Sequence, residues 1–322
     1  MDLKFYDLLG NFKGYCNRIN SALVNLKYND VGDTEYHIDI GDPIIKVIFE
    51  NPFLMVEQDG KYWSIIRSIV ENDDIAIYGR TLNFLLSKMV VPTFDEIPNN
   101  VGLICQSLLN NSIGCKIKIG NIASFDKIVS FEKKDEYTVL LSSLQEVLSL
   151  DGGGFSVRYE KSENKFYLDI LRGTEKEFII ANEEGYGYDF SKELNALDYY
   201  NAAFYNKNIE NENTTENVWT EIEAPESTPD IYKWYSVLSS TSELDAKAEL
   251  SEKKIFDTVN ISTEGFVFEK DFSLGDIIKV QFSNNGFIFT QKKRVTGITI
   301  NDDENGHLEN PILEDINNVE NK

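Results

Sequence analysis

Four polar residues alternate along one short segment of the chain: Asp33, Glu35, His37 and Asp39. In a β-strand every second side chain points to the same face of the sheet, so these groups would share one face. Carboxylate oxygens and an imidazole on one face can bind a divalent metal ion. The intervening Tyr36 is aromatic, as a half-buried strand requires. We expect a solvated strand face here, and an ion site remains the alternative.

Nucleophilic catalysis lacks its usual residues. A Ser-His-Asp type of site needs a base, most often histidine, and only His37 lies in the part of the chain expected to fold, while His307 lies near its end. No G-x-S-x-G segment is present, and Cys105 lies in an apolar helical stretch, where cysteine is typical of a packed core. The sequence therefore predicts no catalytic residue and no enzyme activity.

One glycine-rich segment, Asp151-Gly152-Gly153-Gly154, has the composition of a phosphate-binding loop. It lacks the Lys-Ser/Thr pair of such loops, and a strand pattern rather than a helix follows it. Glycine after a helix supplies the left-handed conformation that ends the helix. We therefore predict a helix cap, and no cofactor is expected.

Aromatic and acidic residues leave two further functions open. Trp63, Trp219 and Trp234 could stack on sugars, although two of them are expected to pack in a core or a hairpin. Carboxylates are so frequent that no pair of them identifies a glycoside hydrolase, because the decisive separation is spatial. A carbohydrate-binding module and a peptidoglycan hydrolase with an acid pair are therefore the alternatives to a structural role.

Composition excludes several classes of protein. The chain has 322 residues, with 31 Lys+Arg against 54 Asp+Glu and a formal net charge of -23. Phosphate backbones and anionic lipids bind clustered basic residues, so neither sequence-specific nucleic acid nor a membrane surface is expected as a partner. Three cysteines and two histidines predict neither a disulfide framework nor a zinc site. The first residues do not form a signal peptide, no apolar run is long enough to span a membrane, and we expect a cytoplasmic site of synthesis.

The elements that must position these residues follow the order β, then α+β, then β. Alternating and short apolar runs predict strands through the first 80 or so residues, including residues 44–49, and a helix with Leu82, Leu85, Leu86 and Met89 inward. Helices after Asn99 or Asn100 and over 142–150, and strands over 155–159, 166–171 and 177–181, predict a small α+β unit. Strand patterns then return, interrupted by one helix over 242–254.

Several motifs occur in an order that resembles a known family. They are Gly32-Asp33 before a strand, Trp63-Ser64-Ile65-Ile66, the segment IYGRTLNFLL over 77–86, Gly153-Gly154-Phe155, the segment FSKELN over 190–195, and Leu274-Gly275-Asp276. Together they resemble the tail-hub proteins of long-tailed phages and of phage-tail-like particles of Gram-positive bacteria, which are relatives of the contractile-tail baseplate hub. The resemblance extends from the first residue to about residue 300.

The resemblance implies an α+β, mostly β fold with two tail-tube-like β-barrels. The implied boundaries are 1–91 for the first barrel, 92–187 for an inserted α+β domain and 188–300 for the second barrel. Within the second barrel, the acidic segment 207–230 is expected to be an exposed insertion, and 301–322 a flexible acidic tail.

The resemblance also implies a structural role at the tip of a tail. A homotrimer with six barrels would join the hexameric tail tube to a spike, fibre or tip protein, because a threefold hub with duplicated barrels matches sixfold symmetry. Distal tail or baseplate proteins and the tape measure protein are the other implied partners. The protein would then be located in the virion or in a phage-tail-like particle, with no catalytic, cofactor-binding or metal-binding residues.

Overall fold

The computed structural model divides the chain into two compact units. The first unit comprises Met1–Phe190 and Ile261–Lys322, and the second comprises Ser191–Asn260. The residues that the structure describes are 1–51, 53–71, 74–93, 98–129, 131, 137–182, 187–195, 197, 199–211, 214–223, 233–253, 256–263, 267–284, 286–304 and 306–316.

Strands dominate the described chain, which confirms the prediction of a mostly β protein. The first strands are β1 Leu3–Asp7, β2 Phe12–Cys16, β3 Ile19–Lys27, β4 Asp33–Ile38, β5 Leu54–Gln58, β6 Tyr62–Glu71, β7 Ile75–Thr81, β8 Val90–Val91, β9 Ile117–Ile122, β10 Thr138–Val139 and β11 Gly154–Glu160. The others are β12 Lys165–Leu171, β13 Glu175–Ala181, β14 Gly187–Asn195, β15 Ala202–Asn211, β16 Thr214–Glu223, β17 Tyr235–Val237, β18 Phe256–Thr263, β19 Ile277–Asn284, β20 Phe287–Asp303 and β21 Gly306–Asp315. The helices are α1 Ile44–Glu50, a 3₁₀ helix Leu82–Lys88, α2 Val101–Asn111, α3 Leu140–Ser149 and α4 Glu243–Glu252.

The first unit is built on an 11-stranded sheet with the order β13-β19-β20-β3-β4-β7-β6-β5-β1-β2, and β21 pairs with β20. The predicted alternation in β4 is confirmed, because Tyr36 and Ile38 are buried, whereas Asp33, Glu35 and His37 are half-buried. Leu3 of β1 and Ile180 of β13 belong to one apolar core although they come from opposite ends of the strand order. The sheet therefore curves around this core.

A small α+β layer packs beside the large sheet. Its three-stranded sheet has the order β11-β12-β9, and its core combines α2, α3 and the 3₁₀ helix, including the predicted stripe at Leu82, Leu85, Leu86 and Met89. The predicted N-cap of α2 is confirmed, since Asn100 Oδ1 accepts the backbone N–H groups of Gly102 (3.0 Å) and Leu103 (3.3 Å). The predicted 155–171 hairpin is also confirmed.

Residues 44–49 form a helix, so the prediction of a strand there is wrong. Asp42 Oδ1 accepts the backbone N–H of Ile44 at 2.9 Å, and Pro43 has helical backbone angles at the start of α1. Ile44 and Ile48, four residues apart, are buried on one face. The cap at Asp42 and this spacing outweigh the strand preference of a β-branched run.

Strand β13 belongs to the large sheet and not to the small α+β unit, contrary to the expectation for residues 177–181. It pairs in parallel with β19, about 100 residues further along the chain. Strand β20 likewise pairs with β3, Gly297 lying opposite Lys27. Strands from the two segments predicted as separate barrels thus share one sheet, because pairing between distant strands leaves no local pattern.

The flexible tail predicted for residues 301–322 is wrong over its first part. Residues 301–303 continue β20, and β21 pairs antiparallel with β20 from Asp315 back to Gly306, with Leu313 against the core. Residues 317–322 lie outside the described part of the chain. The predicted insertion 207–230 is exposed where its side chains are described, except at Thr220 and Ile222, but it is not an irregular loop, because residues 207–211 and 214–223 pair as a β15–β16 hairpin. Paired backbone groups compensate for the polar composition of both segments.

The second unit contains a three-stranded sheet, in the order β16-β15-β17, and the helix α4. Ala203, Tyr205 and Ile222 from the sheet are buried with Ala246 and Leu250 of α4, so the helix predicted over 242–254 is confirmed. The predicted inward position of Leu244 lies outside what the structure describes. Strands β14 and β18 pair with each other and begin and end this unit in the chain. Among the described residues, no helix is both long and apolar enough to cross a membrane.

Candidate functional site

The polar face of β4 is a row of hydrogen-bonded and ion-paired side chains. The imidazole of His37 lies between two carboxylates. Its Nε2 is 2.7 Å from Glu35 Oε1, and its Nδ1 is 2.7 Å from Asp74 Oδ2. The outer two residues of the predicted group pair with arginines instead. Asp33 Oδ1 lies 3.8 Å from Arg80 Nη1, and Asp39 Oδ1 lies 3.4 Å from Arg18 Nη1. The structure therefore brings Glu35 and His37 together but not all four predicted residues. Within the described ranges, no cluster of three or more His, Cys, Asp or Glu side chains could bind a metal ion.

Two carboxylates change the acidity of His37. Partial burial lowers the pKa of His37, and the hydrogen bonds to Glu35 and Asp74 outweigh this effect, so that the pKa is raised above its usual value of 6.5. Asp74 precedes β7, the neighbour of β4 in the sheet. The alternating sequence pattern identified Glu35 as a partner, while Asp74 depends on the register between two strands.

The other histidine has the same arrangement, which sequence reasoning missed. His307 Nδ1 lies 2.7 Å from Asp302 Oδ1, and its Nε2 lies 3.2 Å from Glu309 Oε1. The second oxygens of these carboxylates accept hydrogen bonds from Gln58 Nε2 (2.8 Å) and from the backbone N–H of Phe268 (2.7 Å). The β20–β21 hairpin is thereby tied to β5 and to a loop. The hydrogen bond to Asp302 is the main cause of a raised pKa of His307.

A buried carboxylate, Glu57, accepts a hydrogen bond from Tyr6 Oη at 2.7 Å. Lys161 Nζ donates to Tyr6 Oη at 2.6 Å and lies 3.5 Å from Glu57. Burial is the largest cause of the raised pKa of Tyr6. Trp63 packs beside this group, with its ring centroid 5.3 Å from that of Tyr6 and 4.9 Å from that of Tyr159. The cluster connects β1 and β5 to the β11–β12 hairpin, and no pattern in the sequence indicated it.

A cleft of about 740 Å³ lies within the first unit, between the large sheet and the small α+β layer. Its walls include Leu26, Trp63, Val157, Phe268 and Leu274. The basic side chains that line it already have acidic partners. These pairs are Lys27 with Asp30, Lys61 with Glu269, Arg158 with Asp169, Arg172 with Asp151 and Lys176 with Asp276. Its lining contains neither histidine nor cysteine.

Two of the three cysteines are buried thiols. Burial raises the pKa values of Cys16 and Cys105 to about 12, so their thiolates are not available as nucleophiles at neutral pH.

The glycine run 152–154 is the predicted helix cap. Gly152 has φ +61°, and the backbone N–H of Gly153 donates to the carbonyl of Leu148 at 2.8 Å.

The three tryptophans divide in an unexpected way. Trp63 is packed among aromatic rings, as described above, whereas Trp219 and Trp234 in the second unit are exposed. Two of the three were expected to pack in a core or a hairpin: Trp63 packs against a core, and Trp219 lies on the β15–β16 hairpin with its side chain exposed.

No protein-family model matches the sequence, and no curated protein matches it at a significant level. Three solved structures share its fold over nearly the whole chain. The 43 kDa tail protein of prophage MuSo2 from Shewanella oneidensis superposes with a TM-score of 0.57 at 10% identity, covering 98% of each chain. The tail protein from Neisseria meningitidis MC58 gives 0.57 at 12% identity, covering 98% of this chain and 97% of that chain. Prophage tail protein gp18 from Listeria monocytogenes EGD-e gives 0.56 at 11% identity, covering 98% and 95%.

These similarities assign the chain the fold of phage tail proteins. The mostly β fold that the resemblance implied is thereby confirmed, whereas the arrangement in two barrels is not. The three sources include Gram-negative and Gram-positive bacteria, so the similarity does not support a restriction to particles of Gram-positive bacteria.

Proposed function

We propose that the protein is a structural component of the tail or baseplate of a phage or a phage-tail-like particle. The observation that carries the proposal is the match to prophage tail proteins along the whole chain, with 98% of both chains covered for the MuSo2 protein. The net charge of -23 agrees with this role, because a surface rich in carboxylates repels DNA that passes through a tail.

Particle localisation tests this proposal directly. An antibody against the chain should label purified particles at the tail in negative-stain electron microscopy. Deletion of the gene should yield particles with absent or incomplete tails. Labelling that is confined to unassembled protein, together with normal tails after deletion, would contradict the proposal.

The finer form of the proposal is a homotrimeric hub. A threefold ring can meet a sixfold tube without a symmetry mismatch when each chain offers two similar contact surfaces. The partners would be the tail tube above, the tape measure and distal tail or baseplate proteins, and a spike, fibre or tip protein below. Mass photometry of the protein, alone and mixed with tube protein, should detect a trimer, whereas a stable dimer over a wide concentration range would count against a hub.

We also propose that the role is not enzymatic. The raised pKa values of the buried Cys16 and Cys105 thiols support this, because thiols that stay protonated at neutral pH are poor nucleophiles. Incubation with purified peptidoglycan should release no soluble fragments. Turnover on this substrate would instead support the hydrolase alternative.

A further inference from the structure

The second unit has an aromatic face on the outer side of its three-stranded sheet. We define the aromatic face by five residues: Phe204, Trp219, Glu221, Glu223 and Tyr235. In the strand register Phe204 lies opposite Glu221, and Ala202 lies between Glu223 and Tyr235. Side chains on directly opposite residues project to the same face of a sheet, and Trp219 follows the same alternation two residues before Glu221.

The opposite side of this sheet is the core of the unit. Ala203, Tyr205 and Ile222 point to that side and are buried against α4. The rings of the aromatic face stay in contact with water in the part of the chain that the structure describes: Trp219 is 57% exposed, Tyr235 is 46% exposed and Phe204 is 37% exposed. Large apolar rings that remain in water after the core is complete indicate a surface that binds something else.

The polar groups of the aromatic face are held in fixed positions. Tyr235 Oη donates a hydrogen bond to Glu221 Oε1 at 2.8 Å. Lys233 Nζ donates to Glu223 Oε1 and lies 3.9 Å from Glu221 Oε1. The rings of Phe204 and Tyr235 are stacked, with centroids 5.5 Å apart and planes inclined by 20°. Hydrogen-bond acceptors, the two carboxylates, and donors, the ammonium and the phenol hydroxyl, are therefore preorganised beside flat apolar rings.

We propose that the aromatic face binds a neutral polysaccharide. A pyranose ring presents C–H groups on one face and hydroxyl groups around its edge, so it needs an aromatic ring below and fixed acceptors and donors at the side. Trp219 and the Phe204–Tyr235 stack offer the rings, while Glu221, Glu223 and their neighbours offer the hydrogen bonds.

Other partners fit the aromatic face less well. The core of a protein interface is depleted of charged residues, whereas here Glu221 lies between Trp219 and the Phe204–Tyr235 stack. A polyanion such as a nucleic acid or an anionic wall polymer would meet two carboxylates on a chain of net charge -23. This inference does not depend on the proposed role in a tail.

A microarray of neutral glycans, probed with the full chain, tests the proposal, and titration of the best ligand gives the affinity. Trp219→Ala should lower that affinity about tenfold or more, because it removes the most exposed ring of the surface. Trp234→Ala is the matched control, since Trp234 is exposed to the same extent (55%) but packs on Tyr199. The control should change the affinity less than about twofold.

A second variant separates a loss of binding from a loss of folding. Glu221→Gln keeps the shape of the side chain and removes its charge, and it should lower glycan affinity about threefold or more without changing the circular dichroism spectrum. The proposal is overturned if the wild-type chain binds no neutral glycan, or if Trp234→Ala loses as much affinity as Trp219→Ala. Loss of a tail-protein partner in Trp219→Ala, with no glycan bound by the wild type, would also overturn it in favour of a protein interface.

Discussion

Gly275 lies directly against the ring of Tyr28: a methyl group added at position 275 would come within 2.3 Å of Tyr28 Cε2. Gly154 approaches the same ring from another element, with 2.4 Å for an added methyl group. Tyr28 Oη is 3.1 Å from the carbonyl oxygen of Gly152 and accepts the backbone N–H of Gly173 at 3.3 Å. Tyr28, just after β3, therefore connects the large sheet to the small α+β layer of the first unit.

Replacement of Gly275 should destabilise the protein strongly. Gly275→Ala places a methyl group in the Tyr28 ring and a non-glycine residue at φ +87°, so we expect the free energy of unfolding to fall by about 3 kcal/mol in urea titrations. Gly286→Ala is the matched control. Gly286 has φ +81°, and no described atom lies within 4 Å of the added methyl group, so only the backbone cost of about 1 kcal/mol remains. Equal losses in the two variants would show that the Tyr28 contact has no energetic weight.

The raised pKa values of both histidines predict that the free energy of unfolding decreases above neutral pH. Their folded pKa values are raised above the unfolded value of about 6.5, so protonated His37 and His307 stabilise the folded state below that value. The contribution is lost as the pH rises through the higher folded pKa. Unfolding titrations at pH 6 and pH 8 should therefore give the greater stability at pH 6.

Variants and NMR separate the two histidines. His37→Gln and His307→Gln should each reduce the difference in stability between pH 6 and pH 8, and the double variant should nearly abolish it. Imidazole resonances in an NMR titration report each folded pKa directly. A folded pKa below that of the unfolded chain for both residues would reverse the sign of the expected pH dependence.

Thiol reactivity should follow burial. Cys16 and Cys105 are buried, with pKa values raised to about 12, whereas Cys115 is only partly buried. Because the thiolate is the reactive form, a thiol-specific reagent at pH 8 should label Cys115 first in the native protein. The other two should react only after addition of denaturant. Cys115→Ser should remove the fast phase, and rapid labelling that persists in this variant would contradict the burial of the other two thiols.

Local signals in the sequence were sufficient for much of the fold. The cap at Asn100, the helix end at Gly152 and the hairpin between β11 and β12 each depend on neighbouring residues, and each was predicted. The segment 301–322 was predicted as a flexible tail from its acidic composition alone. Backbone pairing along β20 needs no apolar side chains, so composition was a poor guide there.

Distant pairing explains what the sequence could not predict. Strand β13 pairs with β19, and β3 pairs with β20 as well as with the adjacent β4; no periodicity indicates which distant strands will meet. The same holds for the sites, because Asp74 reaches His37 and Gln58 reaches Asp302 only after the strands are assembled. Alternation shows which face a residue is on, while register decides its partners.

The cluster at Glu57 gives the last prediction. Lys161→Met keeps the length of the side chain and removes the ammonium group that contacts Tyr6 Oη and Glu57. Glu57 is buried, so it loses a cation that water replaces poorly, and we expect the free energy of unfolding to fall by about 1–2 kcal/mol. Lys165→Met is the control, since Lys165 pairs only with the exposed Glu163 at 3.1 Å among the carboxylates that the structure describes. Its loss should leave the free energy of unfolding nearly unchanged, because solvent screens an exposed pair. Urea unfolding of both variants measures the difference, and equal costs would show that Lys161 acts as an ordinary surface lysine.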